Sequence, residues 1–223
     1  MSIANNFKCI KETIPSHVSL VVVSKTQSVE HILEAYQCGQ RIFGENKVQE
    51  LTAKQKELPS DIQWHLLGHL QTNKVKYIAP FVSLIHSVDS LKLLKEINAE
   101  AIMNNRTIDC LLEFYIASEE TKFGLSWEEA CDILNSDDFK TLKNIRTCGV
   151  MGMASFVDDE TIIRREFKTL IEYFSRLKKE FFAQGDHFKE ISMGMTSDYL
   201  IAIEEGSTMV RIGTAIFGAR NYL

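Results

Sequence analysis

The sequence predicts one α/β domain, a (β/α)8 TIM-like barrel with an extra helix at its N-terminus. Short apolar, β-branched segments alternate with longer amphipathic segments along all 223 residues, which is the pattern of repeated β-α-β units. Eight strands can be counted, and their spacing suits right-handed crossovers. No Pro-, Gly- or Ser-rich linker interrupts the alternation, so we expect residues 1–223 to form a single domain.

The first half of the chain supplies the leading helix and four strands. Residues 18–23 are almost continuously apolar, as expected of a strand that is buried on both faces of a parallel sheet. Ser28 is placed to cap the next helix and Gly39 to end it. In chain order we predict helix 2–14, strand 18–23, helix 29–38, strand 41–43, helix 45–56, strand 62–67 and strand 82–86.

The second half continues this alternation. Its longest amphipathic segment, 159–182, has an apolar stripe of helical spacing that contains Ile162, Phe167, Leu170, Ile171, Phe174 and Leu177. The predicted elements are helix 90–103, strand 108–115, helix 126–134, strand 145–149, helix 159–182, strand 190–193, helix 198–204 and strand 208–212. A closed barrel accommodates eight such strands, and an open doubly wound sheet is the competing architecture.

Composition excludes several classes of protein. The formal net charge is −5 and no Lys/Arg-rich block is present, which argues against a general nucleic-acid binder. No apolar run is long enough to span a membrane, and residues 1–6 lack the features of a signal peptide. The five scattered cysteines fit reduced thiols better than a disulfide framework. We therefore expect a cytoplasmic protein with no membrane partner.

Lys25 is the first candidate functional residue. Active sites of such barrels lie at the C-terminal ends of the strands, and Lys25 comes two positions after the first strand in Val-Val-Val-Ser-Lys-Thr (21–26). A lysine there either extends its ammonium to water or loses its charge on burial. A buried amine with a lowered pKa is a nucleophile that condenses with aldehydes. From its position alone, Lys25 could instead be a lysine whose ammonium extends to water and has no reactive role.

Two later strand ends carry glycine and small hydroxyl residues. Residues 192–198 are Ser-Met-Gly-Met-Thr-Ser-Asp, and residues 206–214 are Gly-Ser-Thr-Met-Val-Arg-Ile-Gly-Thr. Open backbone amides at such turns, together with Thr196 and Ser197, can hold an anion. Barrels frequently bind phosphate after strands seven and eight. Ordinary β-α turns have a similar composition, but the two turns together with Lys25 favour a phosphate-bearing aldehyde as the ligand.

Other polar residues at strand ends give weaker indications. Gly44 permits a tight turn, and Asn46 can offer its amide to a ring substituent, although capping of the next helix explains Asn46 equally well. His65 and His69 have zinc-ligand spacing only on a helix; here they lie on a predicted strand and turn, so we expect no metal site. His86 either lines the pocket or forms a buried hydrogen bond.

Together these segments resemble the pyridoxal 5′-phosphate (PLP) homeostasis protein family, the alanine racemase N-terminal-domain-like proteins of fold type III. The resemblance extends from about Val21 to Arg220. Its ordered motifs are Val-Ser-Lys-Thr (23–26), Phe-Gly-Glu-Asn-Lys-Val-Gln-Glu (43–50), Trp-His-Leu-Leu-Gly-His-Leu-Gln-Thr-Asn-Lys (64–74), Ile-His-Ser-Val-Asp (85–89), Glu-Thr-Lys-Phe-Gly (120–124), Ser-Met-Gly-Met-Thr-Ser-Asp (192–198) and Gly-Ser-Thr-Met-Val-Arg-Ile-Gly-Thr-Ala-Ile-Phe-Gly-Ala-Arg (206–220).

The resemblance implies PLP as the cofactor, held as a Schiff base on Lys25. It also implies that Arg211 faces the pyridine nitrogen, which would keep that nitrogen unprotonated and weaken the ring as an electron sink. The phosphate is implied to lie among Met195, Thr196, Gly213 and Thr214. Departures from the family pattern are few: Gln27-Ser28 stands where proline is frequent, Thr196 where serine is usual, and Glu113-Phe-Tyr115 where Gln-Val-Asn is common.

Two PLP functions are consistent with these residues. The resemblance implies a carrier or regulator in vitamin B6 and amino-acid homeostasis, and we expect it to be a monomer that serves PLP-dependent apoenzymes and is not itself an enzyme. The alternative is an amino-acid racemase, which needs a second acid/base opposite Lys25. Racemases that resemble this barrel take that residue from an additional β-domain and a partner subunit, whereas this sequence extends only to Leu223. A Schiff-base aldolase is a third class, but no acid/base carboxylate follows the lysine strand.

Overall fold

Eight parallel strands form a closed barrel in the order β1 to β8. The computed structural model describes residues 2–117 and 123–218. The predicted fold class is therefore confirmed, and the open doubly wound sheet is excluded. That residues 1–223 make a single domain stays a prediction. The strands are β1 (Ser19–Val23), β2 (Ile42–Glu45), β3 (Gln63–Leu66), β4 (Leu84–Val88), β5 (Ile108–Phe114), β6 (Ile145–Gly152), β7 (Glu190–Ser192) and β8 (Met209–Ile212).

Helices follow the strands and cover the outside of the barrel. Ser28 caps α2 as predicted, since its side chain accepts a hydrogen bond from the His31 amide, and Ser90 caps α5 in the same way by accepting one from the Leu93 amide. The helices are α1 (Ile3–Thr13), α2 (Val29–Gln37), α3 (Val48–Glu57), a 3-10 turn (Thr72–Lys74) leading into α4 (Val75–Ile78), α5 (Leu91–Met103), α6 (Trp127–Asn135), α7 (Asp137–Thr141), α8 (Glu160–Glu180), α9 (Tyr199–Glu204) and α10 (Thr214–Phe217).

Alternate residues along each strand face opposite sides of the barrel wall. The outward-facing residues pack beneath the helices and form the large apolar core, which includes Leu20, Val22 and Phe43. The inward-facing residues form a smaller cluster of Val21, Leu84, Leu111, Cys148, Met151 and Met209. Because this inner cluster fills the barrel, the inward-facing residues further along the strands line a mouth at their C-terminal ends.

The extra N-terminal helix is confirmed as α1. Its apolar face buries Ile3 and Phe7, and the Asn6 side chain donates a hydrogen bond of 3.0 Å to the Ile216 carbonyl oxygen in α10. The two ends of the described chain therefore pack together. Among the described residues, no helix has the combination of length and apolar composition that crossing a membrane requires.

Several predicted boundaries were wrong. The helix expected at 45–56 begins at Val48, because Glu45 continues β2 and pairs with Leu66 of β3. The sixth strand ends at Gly152 rather than at Gly149. Gly149 lies inside the strand, next to an irregularity in its pairing with β5. Helices α4, α7 and α10 were missed because each is too short to display a helical period.

The apolar stripe that we predicted for the long helix α8 was wrong at its first residue. Ile163 rather than Ile162 is buried in α8, and the buried face also contains Glu166, which sequence patterning treats as polar surface. The Glu166 carboxylate accepts hydrogen bonds from the Ser155 amide (2.6 Å) and the Ser155 hydroxyl (2.8 Å). A charged residue is therefore tolerated on the core face because it binds the loop after β6.

Candidate functional site

A cavity of about 430 Å³ opens at the C-terminal mouth of the barrel. The structure brings all seven predicted cofactor-binding residues to this cavity: Lys25, Asn46, Met195, Thr196, Arg211, Gly213 and Thr214. Its other lining residues are Val23, Leu67, Met151, Met153, Phe156 and Ser197. The volume is within the range of small-molecule and cofactor sites.

Lys25 lies in a tight turn that begins where β1 ends. The Ser24 amide donates to the Gly44 carbonyl oxygen of β2 (3.0 Å), and the Gln27 amide donates to the Ser24 carbonyl oxygen (3.0 Å), which closes the four-residue turn. Thr26 has a φ of +65°, a left-handed conformation that non-glycine residues rarely adopt. The turn directs a half-buried lysine into the cavity wall.

Arg211 extends from β8 into the barrel interior and is almost fully buried. Its guanidinium donates hydrogen bonds to the Ser192 hydroxyl (2.7 Å) and to the Gly152 carbonyl oxygen (3.1 Å). Burial lowers the pKa of Arg211 to about 10, while the carboxylates of Asp198 and Glu113 oppose that shift. The side chain therefore keeps its charge at neutral pH and its orientation is fixed on two sides.

A chain of buried polar side chains continues from Arg211 across the barrel. The Ser192 hydroxyl lies 3.0 Å from Nδ1 of His86, and Nε2 of His86 lies 3.0 Å from Nδ1 of His65. Burial lowers the pKa of His65 to about 3. It also lowers the pKa of His86 well below its usual value, with further lowering by His65 and Arg211. Both imidazoles are thus neutral near pH 7, and His86 is a buried hydrogen-bonded residue rather than part of the cavity lining.

The two turns predicted to hold an anion meet at the cavity. Gly194 has a φ of +95°, and at Gly213 an added Cβ would come within 2.8 Å of the Val23 carbonyl oxygen. Both turns therefore require glycine for their close approach. Not every amide is open as expected, since the Met195 amide donates to the Asp198 carboxylate at 2.6 Å. Thr196 and Thr214, which carry hydroxyl groups, still line the cavity.

One wall of the cavity is apolar and rich in sulfur. The apolar lining consists of Met151 near the end of β6, Met153 just beyond it, Met195 and Leu67. Phe156 lies at the rim with 87% of its surface exposed. The sequence gives no sign of this wall, because methionines after a strand are as typical of core packing as of a ligand site. Methionine side chains adapt to ligands of irregular shape, so this wall suits the apolar face of a ring.

Glu113 is a buried carboxyl group that the sequence analysis left without a role. It lies on β5 with 4% of its surface exposed. Burial raises the pKa of Glu113 to about 7; Asp89 adds to the increase and Arg211 opposes it. A group of this kind exchanges its proton close to neutral pH. The sequence departure at 113–115 was the only indication that this part of the barrel is unusual.

The histidines of the Trp-His-Leu-Leu-Gly-His segment take separate partners. His65 bonds to His86 inside the barrel, whereas His69 Nδ1 lies 3.3 Å from an Asp89 carboxylate oxygen at the mouth. The His69 ring also stacks on Phe123, with 4.7 Å between the ring centroids. No group of three or more potential metal ligands occurs within residues 2–117 and 123–218. Motif residues 120–122 and 219–220 lie outside the described residues.

A second cavity of about 410 Å³ lies at the opposite mouth of the barrel. Its lining includes Asp109 and Arg146, which form two hydrogen bonds of 2.7 Å. Burial raises the pKa of the adjacent Cys148 thiol to about 12, so this thiol is not an activated nucleophile. Barrel active sites lie at the C-terminal mouth, and that mouth also holds Lys25, so we assign the candidate site there.

The donor set at the C-terminal mouth fits PLP. Lys25 offers the amine that an aldehyde needs, and buried Arg211 offers N–H donors for a ring acceptor. The hydroxyls and turns after β7 and β8 offer donors for a phosphate, and the methionine wall offers an apolar surface for a ring. Bound PLP supplies an electrophilic aldehyde and an electron-withdrawing ring.

The fold and the site place this chain among barrels of the alanine racemase N-terminal type. Residues 1–221 match the family described as "Alanine racemase, N-terminal domain". A pyridoxal phosphate homeostasis protein of Aquifex aeolicus is 40% identical over 204 residues, which cover 91% of this chain and 87% of that protein. One of Schizosaccharomyces pombe is 34% identical over 209 residues, covering 92% and 85%. The chain belongs to the pyridoxal phosphate homeostasis protein family.

Solved structures agree with this assignment. PipY of Synechococcus elongatus, in a structure with PLP bound, is 33% identical and superposes with a TM-score of 0.89, covering 97% of this chain and all (100%) of that chain. An alanine racemase of Bacillus anthracis superposes with a TM-score of 0.76 at 18% identity, covering 99% of this chain but 56% of that chain. The second comparison shows a shared fold alone.

Proposed function

We propose that this protein binds PLP as a Schiff base on Lys25 and acts as a PLP carrier or regulator in vitamin B6 and amino-acid homeostasis. One observation carries the proposal most strongly: a single cavity joins a strand-end lysine, a buried arginine and two glycine-containing turns that bear hydroxyl groups. The relative PipY, whose solved structure holds PLP, supports the choice of ligand.

Each cavity residue has a proposed part in binding. Lys25 holds the aldehyde carbon, and Arg211 donates a hydrogen bond to the ring nitrogen because its charge persists at neutral pH. Met195, Thr196, Gly213 and Thr214 surround the phosphate, where amides and hydroxyls satisfy its oxygens. Asn46 lies beyond β2, and Lys47 rather than Asn46 is the cap residue of α3. The Asn46 amide is therefore proposed to contact a ring substituent.

We propose that the protein carries PLP without catalysing a reaction. Apart from Lys25, the one titratable side chain among the described lining residues is Arg211, which is too basic to return a proton near pH 7. Racemisation needs a second acid/base on the opposite face. The names of the relatives, homeostasis proteins, favour the same reading.

The cellular compartment of this protein, the recipients of its PLP and its oligomeric state are also proposals. All five cysteines are free thiols, which supports a reducing compartment such as the cytoplasm. PLP-dependent apoenzymes are the proposed recipients, because a Schiff base is reversible and exchange with another lysine leaves both proteins intact. The monomeric state stays a prediction that sedimentation tests directly.

Substitution Lys25→Ala tests the proposal. Wild-type protein mixed with PLP should gain the visible absorption band of a Schiff base, and borohydride should fix the cofactor on the peptide that contains Lys25. Lys25→Ala should lose both signals, because no other amine lines the cavity within the described residues. Lys56→Ala, an exposed lysine on α3, is the matched control and should retain them.

Two outcomes would contradict parts of the proposal. A wild-type protein without the band, or with borohydride label on another lysine, rules out Lys25 as the attachment point. Racemisation of an amino acid by wild type, lost in Lys25→Ala and kept in Lys56→Ala, would make the protein an enzyme instead of a carrier.

A further inference from the structure

A buried ion cluster outside the cavity contacts both neighbours of Lys25 in the chain. It consists of Glu45 at the end of β2 and Glu50 and Lys54 on α3, and we call it the α3 clamp. The Lys54 ammonium lies 2.8 Å from Glu45 and 2.6 Å from Glu50. The side chains of Lys54 and Glu45 are 8% and 0% exposed. Burying these charges costs free energy unless every one of them is paired. A cluster of this kind next to Lys25 therefore suggests a role for it.

Lys54 binds the residue that precedes Lys25. Its ammonium donates to the Ser24 carbonyl oxygen at 2.7 Å, in addition to the two carboxylates. A lysine has three N–H donors, and all three are used. The Ser24 hydroxyl in turn donates to the Glu45 carboxylate at 2.6 Å. Ser24 is therefore held through both its main chain and its side chain.

Glu50 binds the residue that follows Lys25. Its carboxylate oxygen Oε1 accepts a hydrogen bond of 2.5 Å from the Thr26 amide and also accepts from Lys54. A backbone amide that donates to a carboxylate makes a stronger bond than it makes to a neutral acceptor. The clamp thus grips the turn at Ser24 and at Thr26, with Lys25 between them.

The gripped turn has a conformation that its sequence does not favour. Thr26 is the third residue of the four-residue turn and has a φ of +65°. A positive φ at this position is the feature of type II turns, which prefer glycine there. A β-branched threonine in this region is strained, and strain of this kind persists where surrounding contacts fix it. The contacts that fix it here come from Glu50.

We propose that Glu50 and Lys54 are positioning residues that hold the Lys25 turn in its strained form, so that the amine is presented to PLP. This inference rests on the proposed function of Lys25. Neither Glu50 nor Lys54 lines the cavity, so each acts through the turn. Removal of the clamp lets Thr26 relax to negative φ, which moves the base of the Lys25 side chain and slows its reaction with the aldehyde.

Substitutions at Glu50 test this inference, since Glu50 is the more exposed clamp residue and its loss endangers the fold least. Glu50→Ala should slow the appearance of the Schiff-base band after mixing with PLP by about tenfold. Glu50→Gln keeps an oxygen acceptor for the Thr26 amide and should stay within about threefold of wild type. Glu57→Ala, at the exposed end of the same helix, is the matched control and should not change the rate.

The decisive variant combines Glu50→Ala with Thr26→Gly. Glycine adopts a φ near +65° without a steric penalty, so the turn no longer needs the clamp to reach its form. The double variant should regain most of the rate lost in Glu50→Ala. A purely structural role predicts a different result: both variants unfold at lower urea concentration than wild type while the attachment rate stays unchanged.

Failure of the inference is distinguishable from failure of the proposed function. If wild type forms the band and the Lys25 borohydride adduct while Glu50→Ala reacts at the same rate, the clamp has no positioning role and Lys25 keeps its assignment. If the double variant stays as slow as Glu50→Ala, the strained turn is not the route by which Glu50 acts. If wild type forms no adduct, the proposed function itself is wrong.

Discussion

Glu113 shows how one buried side chain can set the response of the barrel to pH. Its carboxyl group has a pKa raised to about 7 by burial and by Asp89, and Arg211 opposes the increase. A carboxyl group whose pKa is higher in the folded than in the unfolded chain stabilises the fold while protonated, below its ordinary pKa of 4.5. That stabilisation is lost as the pH rises through the folded value.

Substitution Glu113→Gln should therefore stabilise the protein more at alkaline than at acidic pH. Glutamine keeps the shape of the protonated carboxyl group and cannot ionise. The free energy of unfolding, measured in urea, should exceed that of wild type by about 1–3 kcal/mol more at about pH 8 than at about pH 5. Exposed Glu57→Gln should show no such difference. An equal effect of Glu113→Gln at both pH values would mean that Glu113 does not titrate in this range.

Sequence reasoning found the residues that directly follow buried strands and missed those that act across elements. Lys25 is conspicuous because a cation next to an apolar strand needs an explanation, whereas the role of Arg211 was implied by the family resemblance. Glu45 and Lys54 are nine positions apart and meet in the fold through one buried hydrogen bond of 2.8 Å, so no local pattern announces them. Glu113 has no local sequence signal either, since its pKa is raised by burial in the barrel and by Asp89, which follows β4, while Arg211 on β8 opposes the increase.

Gly149 allows strand β6 to pair with both neighbouring strands, β5 and β7. The register between β5 and β6 shifts after Cys110, which pairs with Thr147, whereas Leu111 pairs with Gly149. Cys148 is therefore an extra residue on β6, as in a β-bulge. Gly149 has a φ of +155°, and a Cβ there would overlap the Glu190 carbonyl oxygen of β7. A side chain at this position and the β6–β7 pairing are incompatible.

Substitution Gly149→Ala should destabilise the barrel by about 4 kcal/mol or more, because the clash involves main-chain atoms that cannot move aside. The free energy of unfolding in urea measures this effect. Gly39→Ala is the matched control: Gly39 also has a positive φ, +97°, but an added Cβ there has open space. The control should lose only about 1 kcal/mol from backbone strain. Similar losses in the two variants would show that the contact with β7 is unimportant.

The order of the elements was predictable, and the details of their ends were not. Runs such as Ser19–Val23 are apolar because both faces of the strand are covered, so their existence is visible in the sequence. The end of β6 at Gly152 depends on a bulge opposite β5, and α10 has four residues. Features set by pairing partners, or shorter than two helical turns, leave no periodic signal.

Neutral histidines in the barrel interior make the stability of the whole folded protein depend on pH. The buried chain from Arg211 through Ser192 and His86 to His65 crosses from β8 to β3. The pKa of His65 is lowered to about 3, below its ordinary value of 6.5. The unfolded chain therefore binds a proton at this histidine when the folded chain does not, and stability falls as the pH drops below 6.5 toward 3.

Substitution His65→Gln should reduce this sensitivity to acid. Between about pH 4 and pH 6, the slope of the unfolding free energy against pH should decrease by about 1.4 kcal/mol per pH unit relative to wild type, the contribution of one proton. The slope is the informative quantity, because loss of the bond to His86 lowers stability equally at each pH. Exposed His17→Gln serves as the control. An unchanged slope would show that His65 is protonated in the folded protein.

The closed barrel itself was the most predictable feature, because it follows from the count and spacing of alternating segments rather than from any single contact. The position of the cavity follows too, since parallel strands bring all their C-terminal ends to one rim. The interior polar chain does not follow. Its members are His65, His86, Ser192 and Arg211, and the first and last are 146 positions apart in the sequence. Residues so far apart form no local sequence pattern that would predict their contact.

The methionine wall gives the cavity two sides of unequal stiffness. Arg211 is fixed by two hydrogen bonds to its guanidinium, whereas Met151, Met153 and Met195 are unbranched, polarizable side chains with several rotatable bonds. One part of the cavity lining is therefore held by hydrogen bonds, and another can change rotamer. Rotation of these thioethers changes the shape of the apolar side of the cavity without any movement of the barrel strands.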